Sequence, residues 1–161
     1  MSKVTMVEVV ERLSSVTDFT PEYEGESEDI FLTIKESYDS LLRRYPRLES
    51  YGGYLEFLRR TGGAFIDHQD FSLGIYGFEG YVVTSFKESR LFLDRDRYFH
   101  FGDVLYADHP DLIYVFAFDF ESEKDIVLVA ENEKWEYAPC SPSFKELLLG
   151  FASGRYPAMK G

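Results

Sequence analysis

The chain of 161 residues has the length of one ordinary domain, enough to bury a core without metals or disulfides. Its 45% hydrophobic content, with 15 Phe and 12 Tyr, marks a globular protein, and the single Cys140 excludes an intramolecular disulfide, which fits a reducing cytoplasm. Seventeen basic against 29 acidic side chains leave a net charge of −12, which repels phosphate backbones and anionic lipid and so argues against nucleic-acid and membrane partners. The same charge would suit a basic protein partner, or simply keep an aromatic-rich chain in solution.

The opening MSKVTMVEVVERL mixes a lysine and glutamates into its apolar residues, so it does not read as a signal peptide, and no run approaches the roughly 20 apolar residues of a membrane span. Thr5-x-x-Glu8 has the spacing of a capping box, with Met6, Val9, Val10 and Leu13 as the apolar stripe of a first helix. Asp18 to Asp29, with six acids and no base, reads as an acidic linker or tether. A second helix is expected to begin near Ile30 or Thr33, to bury Ile34, Tyr38, Leu41, Leu42 and Tyr45, and to end at Pro46.

The most informative stretch is YGGYLEFLRRTGGAFI, Tyr51 to Ile66. Tyr51, Tyr54, Leu55 and Leu58 fall on one helical face, with Phe57 beside them and Glu56, Arg59 and Arg60 toward water. Gly62 and Gly63 then supply a helix stop, and Ala64, Phe65 and Ile66 set off as a strand.

Beyond it, β-branched and aromatic runs predict strands at Phe71–Tyr76, Tyr81–Phe86, Tyr98–Tyr106, Leu112–Phe120 and Ile126–Glu131. Both faces of Leu112–Phe120 are apolar, so it is expected to lie centrally, covered on both sides. Spacings too short for crossovers favour antiparallel hairpins, with turns at Asp108–Asp111 and Glu121–Asp125. Trp135 and Tyr137 mark a last short strand. Ser141-Pro142 and Ser143-x-x-Glu146 are rival starts for a closing helix with the stripe Phe144, Leu147, Leu148 and Phe151. The expected fold is α+β: N-terminal helices, a mostly antiparallel sheet of about five to six strands and a short C-terminal helix.

Chemistry-bearing residues each have a plain structural reading. Asp67-His68-Gln69-Asp70 carries metal-ligand residue types without a second histidine at helical spacing, and reads as a turn. His100 alternates with Phe99 and Phe101, so it faces away from them in a strand, and His109 before Pro110 belongs to a turn. Cys140 precedes the closing helix, whose dipole would lower a thiol pKa, but no histidine is placed beside it by sequence. Gly74-x-x-Gly77-x-x-Gly80 has the wrong spacing for a dinucleotide loop, and Asp94 to Arg97 alternate in sign as a salt-bridged loop does. The reading is therefore of a non-enzyme: no catalytic, metal-binding or cofactor-binding residue is assigned.

The helix at Tyr54, Phe57 and Leu58, preceded by Pro46 and Leu48 and closed by Gly62-Gly63, resembles the entry signature of the SUKH superfamily. These are bacterial immunity proteins related to fungal regulators of cell-wall assembly. Trp135, followed by Ser143, Phe144, Leu147 and Leu148, is similar to the family's closing strand and helix. The resemblance runs from Thr33 to Phe151 and implies one SUKH-like domain: an N-terminal helix (1–17), the acidic linker (18–29), a core (30–154) and a tail (155–161).

It further implies a cytoplasmic bacterial immunity protein that binds and neutralises a toxin domain by occlusion. A basic, nuclease-type toxin would match the charge. A regulatory or scaffold module of the cell-wall-regulator type is the alternative. The family motifs carry no binding residues, so the partner surface is assigned from charge: Glu121, Glu123 and Asp125, with Glu131, Glu133 and Glu136 around Trp135. The oligomeric state is left open, with a monomer favoured.

Overall fold

The computed structural model describes residues 4–24, 27–77, 97–122, 125–131, 134 and 136–157. The elements run α1 (Met6–Val16), β1 (Asp18–Pro21), α2 (Ser27–Arg44), a 3-10 turn (Pro46–Ser50), α3 (Gly52–Thr61), β2 (Ala64–Asp67) and β3 (Phe71–Ile75). After these come β4 (Tyr98–Tyr106), β5 (Ile113–Asp119), β6 (Val127–Glu131), β7 (Ala138–Ser141) and α4 (Phe144–Ala152). The seven strands form one sheet in chain order, every neighbouring pair antiparallel. The α+β class holds, with seven strands among the described residues where five or six were expected. The predicted strand Tyr81–Phe86 lies outside the described residues.

α1 forms as its sequence dictates. The Thr5 hydroxyl accepts from the Glu8 amide at 3.2 Å while the Glu8 carboxylate accepts from the Thr5 amide at 3.3 Å, which satisfies donors the helix itself leaves open. Met6, Val9 and Leu13 are buried, and α1 packs against α4. α2 begins earlier than the periodicity suggested, at Ser27, and Thr33 is no cap: its hydroxyl donates to the Asp29 carbonyl inside the helix. For α4, Ser143 wins over Ser141 as the cap, accepting from the Glu146 amide at 3.1 Å.

The first half of the acidic linker, Asp18 to Tyr23, is not a free tether. Asp18–Pro21 is the edge strand β1, paired with β2. Beyond it the Glu22 amide donates to the Gly63 carbonyl at 2.8 Å and the Tyr23 amide to the Thr61 carbonyl at 2.9 Å. Phe19, one of two aromatics among the acids, explains the difference: its ring meets Phe57 edge-on at 6.3 Å and anchors the strand. The tail is likewise pinned at its start. Tyr156 packs on Phe71 and Phe151, its hydroxyl donates to Asp70 at 3.1 Å, and the Tyr106 hydroxyl donates to the Pro157 carbonyl.

All four described helices contribute to one core, built on one face of the sheet. Tyr54 of α3 meets the rings of Phe99, Phe101, Phe118 and Phe144 at centroid distances of 5.4–5.8 Å. A register shift between His100 and Gly102 changes the alternation of β4, so that Phe99 and Phe101 before it and Val104 and Tyr106 after it all enter the same core. β5 lies between β4 and β6 as predicted, with Val115 and Ala117 buried on its second face.

The double glycine holds α3 to the sheet. Gly62 ends α3 in the left-handed region at φ 71°, and a Cβ there would stand 2.3 Å from the Tyr23 ring. Gly63, at φ 110°, is crossed by the backbone of Gly77, 2.7 Å from where its Cβ would be. Gly62→Ala is therefore expected to cost about 1–3 kcal/mol in equilibrium urea unfolding. An unchanged midpoint and slope would contradict this account of the helix stop.

Candidate functional site

The acidic residues expected to form one partner surface fall at two corners. In the β5–β6 hairpin, Tyr114 pairs with Glu131 and Ala117 with Leu128, so Glu121 and Asp125 lie at one end and Glu131 at the other. The five residues of β6 separate the two corners by about 14 Å. Glu136, in the β6–β7 connection, belongs with Glu131. Glu123, Glu133 and Trp135 lie outside the described residues.

Neither corner is purely negative. At the first, Arg97 lies 3.2 Å from Asp119 and 3.6 Å from Glu121, and its guanidinium stands over the Tyr98 ring at 4.9 Å. Arg47 donates to the Ser122 carbonyl and covers the Tyr51 ring at 5.5 Å. At the second, Lys134 reaches Glu131 at 2.8 Å. Exposed pairs of this kind add little stability, so these arginines and the lysine mainly moderate the local field.

Asp125 is exposed and looks onto a different feature, a cleft of 920 Å³ where the N-terminal ends of α1, α3 and α4 converge. Its wall carries the aromatic residues Tyr51, Tyr54, Phe118 and Phe144, with the carboxylates of Glu56, Asp125 and Glu146. Lys145 is the one lysine in that wall, and its ammonium donates to the Val4 carbonyl at 2.8 Å. Glu56 is paired with Arg60 at 3.1 Å. Tyr51 stacks on Phe118 at 4.0 Å and donates to the Asp119 carbonyl at 3.2 Å. Tyr54 is fully buried, its hydroxyl has no hydrogen-bond partner, and burial raises its pKa. An unsatisfied buried hydroxyl costs about 1–3 kcal/mol, which makes Tyr54 an exception within an otherwise apolar cluster.

The sequence offers no signal for this cleft as a unit. Thr5, Ser143 and the α3 stripe are each legible, but their meeting depends on α1 packing against α4 and α3 beneath both. Gly53 reflects that convergence: a Cβ on it would stand 3.8 Å from both the Lys145 amide nitrogen and the Met6 methyl.

The remaining chemical candidates separate. His68 lies in the β2–β3 turn, as expected, where its Nδ1 accepts from the Asp70 amide at 3.1 Å and its ring stacks on Phe71. His109 lies in the turn before β5. Cys140 sits within β7, and burial pushes its thiol up to about 12, against the lowering that a nearby helix terminus would give. Among the described residues no three His, Cys, Asp or Glu are grouped to hold a metal ion. No described helix is long and apolar enough to cross a membrane.

His100 is buried on the second face of the sheet with its Nε2 2.6 Å from the Tyr137 hydroxyl, and Tyr137 stacks on Tyr98 at 4.0 Å. On the same face the Tyr76 hydroxyl donates to Asp103 at 2.8 Å, and burial holds the Asp103 carboxyl above the usual carboxylate range. No family model matches the chain, and no curated protein or solved structure matches it.

Burial lowers the His100 pKa from 6.5 to about 4. The unfolded chain therefore binds this proton more readily, so the contribution is present above pH 6.5 and is lost as the pH falls toward 4. A shift of this size is worth about 3 kcal/mol. Urea unfolding at pH 7 and pH 4.5 should show a steeper loss for the parent chain than for His100→Gln. Equal losses would contradict the neutral, buried histidine.

Proposed function

We propose that this protein is a binding module that neutralises a basic protein, a toxin domain of nuclease type, by covering it rather than by reacting with it. The observation that carries the reading is the charge balance, 29 acidic against 17 basic side chains, on a fold whose hairpin turns present acids at both ends of β6. The resemblance of the α3 stretch and the closing helix to SUKH immunity proteins supports it. So does the dispersal of the histidines and the cysteine over separate strands and turns.

In this reading the charge accelerates encounter. A strongly acidic surface draws a basic partner over distances comparable to the Debye length, about 8–10 Å at physiological salt, and raises the association rate. Glu121, Asp125 and Glu136 are exposed at the two connections flanking β6, where a partner can meet them. Arg97, Arg47 and Lys134 beside them restrict which basic surface fits, since a partner cation placed against them is repelled.

Capture from the native cell lysate at low and moderate salt, followed by stopped-flow association with the captured basic protein, tests the reading. Reversal of Glu121 and Asp125 to lysine should slow association about tenfold at low salt, with the difference shrinking as salt rises. No basic partner at either salt would contradict the proposal. A salt-independent partner without net positive charge would favour the regulatory scaffold.

A further inference from the structure

We infer that the groove between α1 and β1 is a contact surface of this binding module and takes an apolar side chain that the basic partner carries between lysines or arginines. The inference rests on the proposed binding of a basic protein and names a second place where the two chains meet.

The groove has an accessible apolar lining. It encloses 460 Å³, within the roughly 300–1,000 Å³ of sites that hold small ligands, and is bounded by α1 on one side and by β1 and the segment leading out of it on the other. Val7 is 40% exposed, and Val10, Phe19, Pro21 and Tyr23 are half-buried, so each keeps part of its surface toward an occupant. Val10 and Phe19 also pack against the core, which fixes the lining in place. Singly exposed valines are ordinary on a protein surface, whereas these five apolar side chains share one concavity.

The charge around the groove decides its occupant. From Val4 to Glu24 the chain carries five acids, Glu8, Glu11, Asp18, Glu22 and Glu24, against Arg12 alone, and all five are exposed. Glu11 from α1 and Glu24 from beyond β1 both line the groove. Glu8 is turned to Thr5 by the capping box, but among the described residues Glu11, Asp18, Glu22 and Glu24 make no ion pair. At the hairpin corners, by contrast, Arg97 and Lys134 already answer Glu121 and Glu131. Arg60, the cation of the groove wall, is held to Glu56 at 3.1 Å. Uncompensated acids beside an apolar lining favour a segment that brings an apolar residue with cations on either side. They repel an anionic lipid surface and a second copy of this chain of net charge −12.

The edge of β1 favours a docked side chain over an added strand. Glu22 bonds to Gly63 across the β1–β2 register, so the alternate residues Phe19 and Pro21 turn their backbone groups to the open edge. Pro21 has no N–H to offer there, and a four-residue edge strand with a proline resists strand addition.

The test is an amide-resolved NMR titration of the full chain at physiological salt with the blocked peptide acetyl-Lys-Arg-Leu-Arg-Lys-amide. The same peptide with serine in place of leucine, and the acidic peptide acetyl-Glu-Asp-Leu-Asp-Glu-amide, are the controls. The leucine peptide should shift the Glu11, Ser14, Tyr23 and Glu24 amides saturably, at least threefold more tightly than the serine peptide, and the acidic peptide should leave them in place. Val7→Gln should weaken the leucine peptide several-fold, and Glu11→Lys with Glu24→Lys about tenfold; all three positions are exposed, so the fold is expected to survive. Equal binding of the leucine and serine peptides, shifts elsewhere only, or shifts of these amides on concentrating the protein alone would overturn the groove as a site for a basic partner.

The two proposals fail separately. A captured basic partner whose affinity is unchanged by Val7→Gln and by Glu11→Lys with Glu24→Lys leaves the binding function standing and removes this groove. A groove that takes the leucine peptide in a chain that captures no basic protein does the reverse.

Discussion

The structure depends on one contact, the burial of α3 on the phenylalanine ladder of β4 and β5. Tyr54 is enclosed by Phe99, Phe101 and Phe118 from the sheet and Phe144 from α4, and Phe57 reaches both Phe144 and the edge-strand residue Phe19. Each of these rings removes a large apolar surface from water, and truncating one to alanine in such a core typically costs about 3–5 kcal/mol. The contact needs α3 to stop abruptly and return along the sheet edge. Gly62 and Gly63 make that turn, and the backbones of Tyr23 and Gly77 close over it. What brings the three helix N-termini together at the other end of α3 is the same packing, so the cleft follows from the core.

Local signals were legible and long-range ones were not. The Thr5–Glu8 capping box, the α3 stripe and its glycine stop, and β5 as a central strand all rest on residues within a few positions of one another, where geometry is set by the chain itself. β1 was hidden because six acids over twelve residues outweigh a single Phe19, whose partner Phe57 lies far along the chain. The bulge at His100–Gly102 has no marker in sequence beyond a glycine. Without it, the alternation would turn Val104 and Tyr106 away from the helices that cover Phe99 and Phe101.

The candidate site divides along the same line. Glu121, Asp125, Glu131 and Glu136 were singled out for charge alone, and the hairpin register sorts them into two corners that composition could not distinguish. Arg97 reaches across to Asp119 and Glu121, while Asp94, Arg95 and Asp96 of the alternating run lie outside the described residues. Asp125 gains a second context, the wall it shares with Glu146 and Tyr54, residues respectively 21 and 71 positions away in the chain.

Neutralisation by stoichiometric cover, as proposed, is tested most directly by titrating this protein against the activity of its captured basic partner. The account predicts that inhibition is complete at one molecule per molecule and that the partner, released in high salt, is recovered intact and active. Inactivation by a small fraction of an equivalent, or a partner recovered chemically altered, would mean turnover and would contradict it.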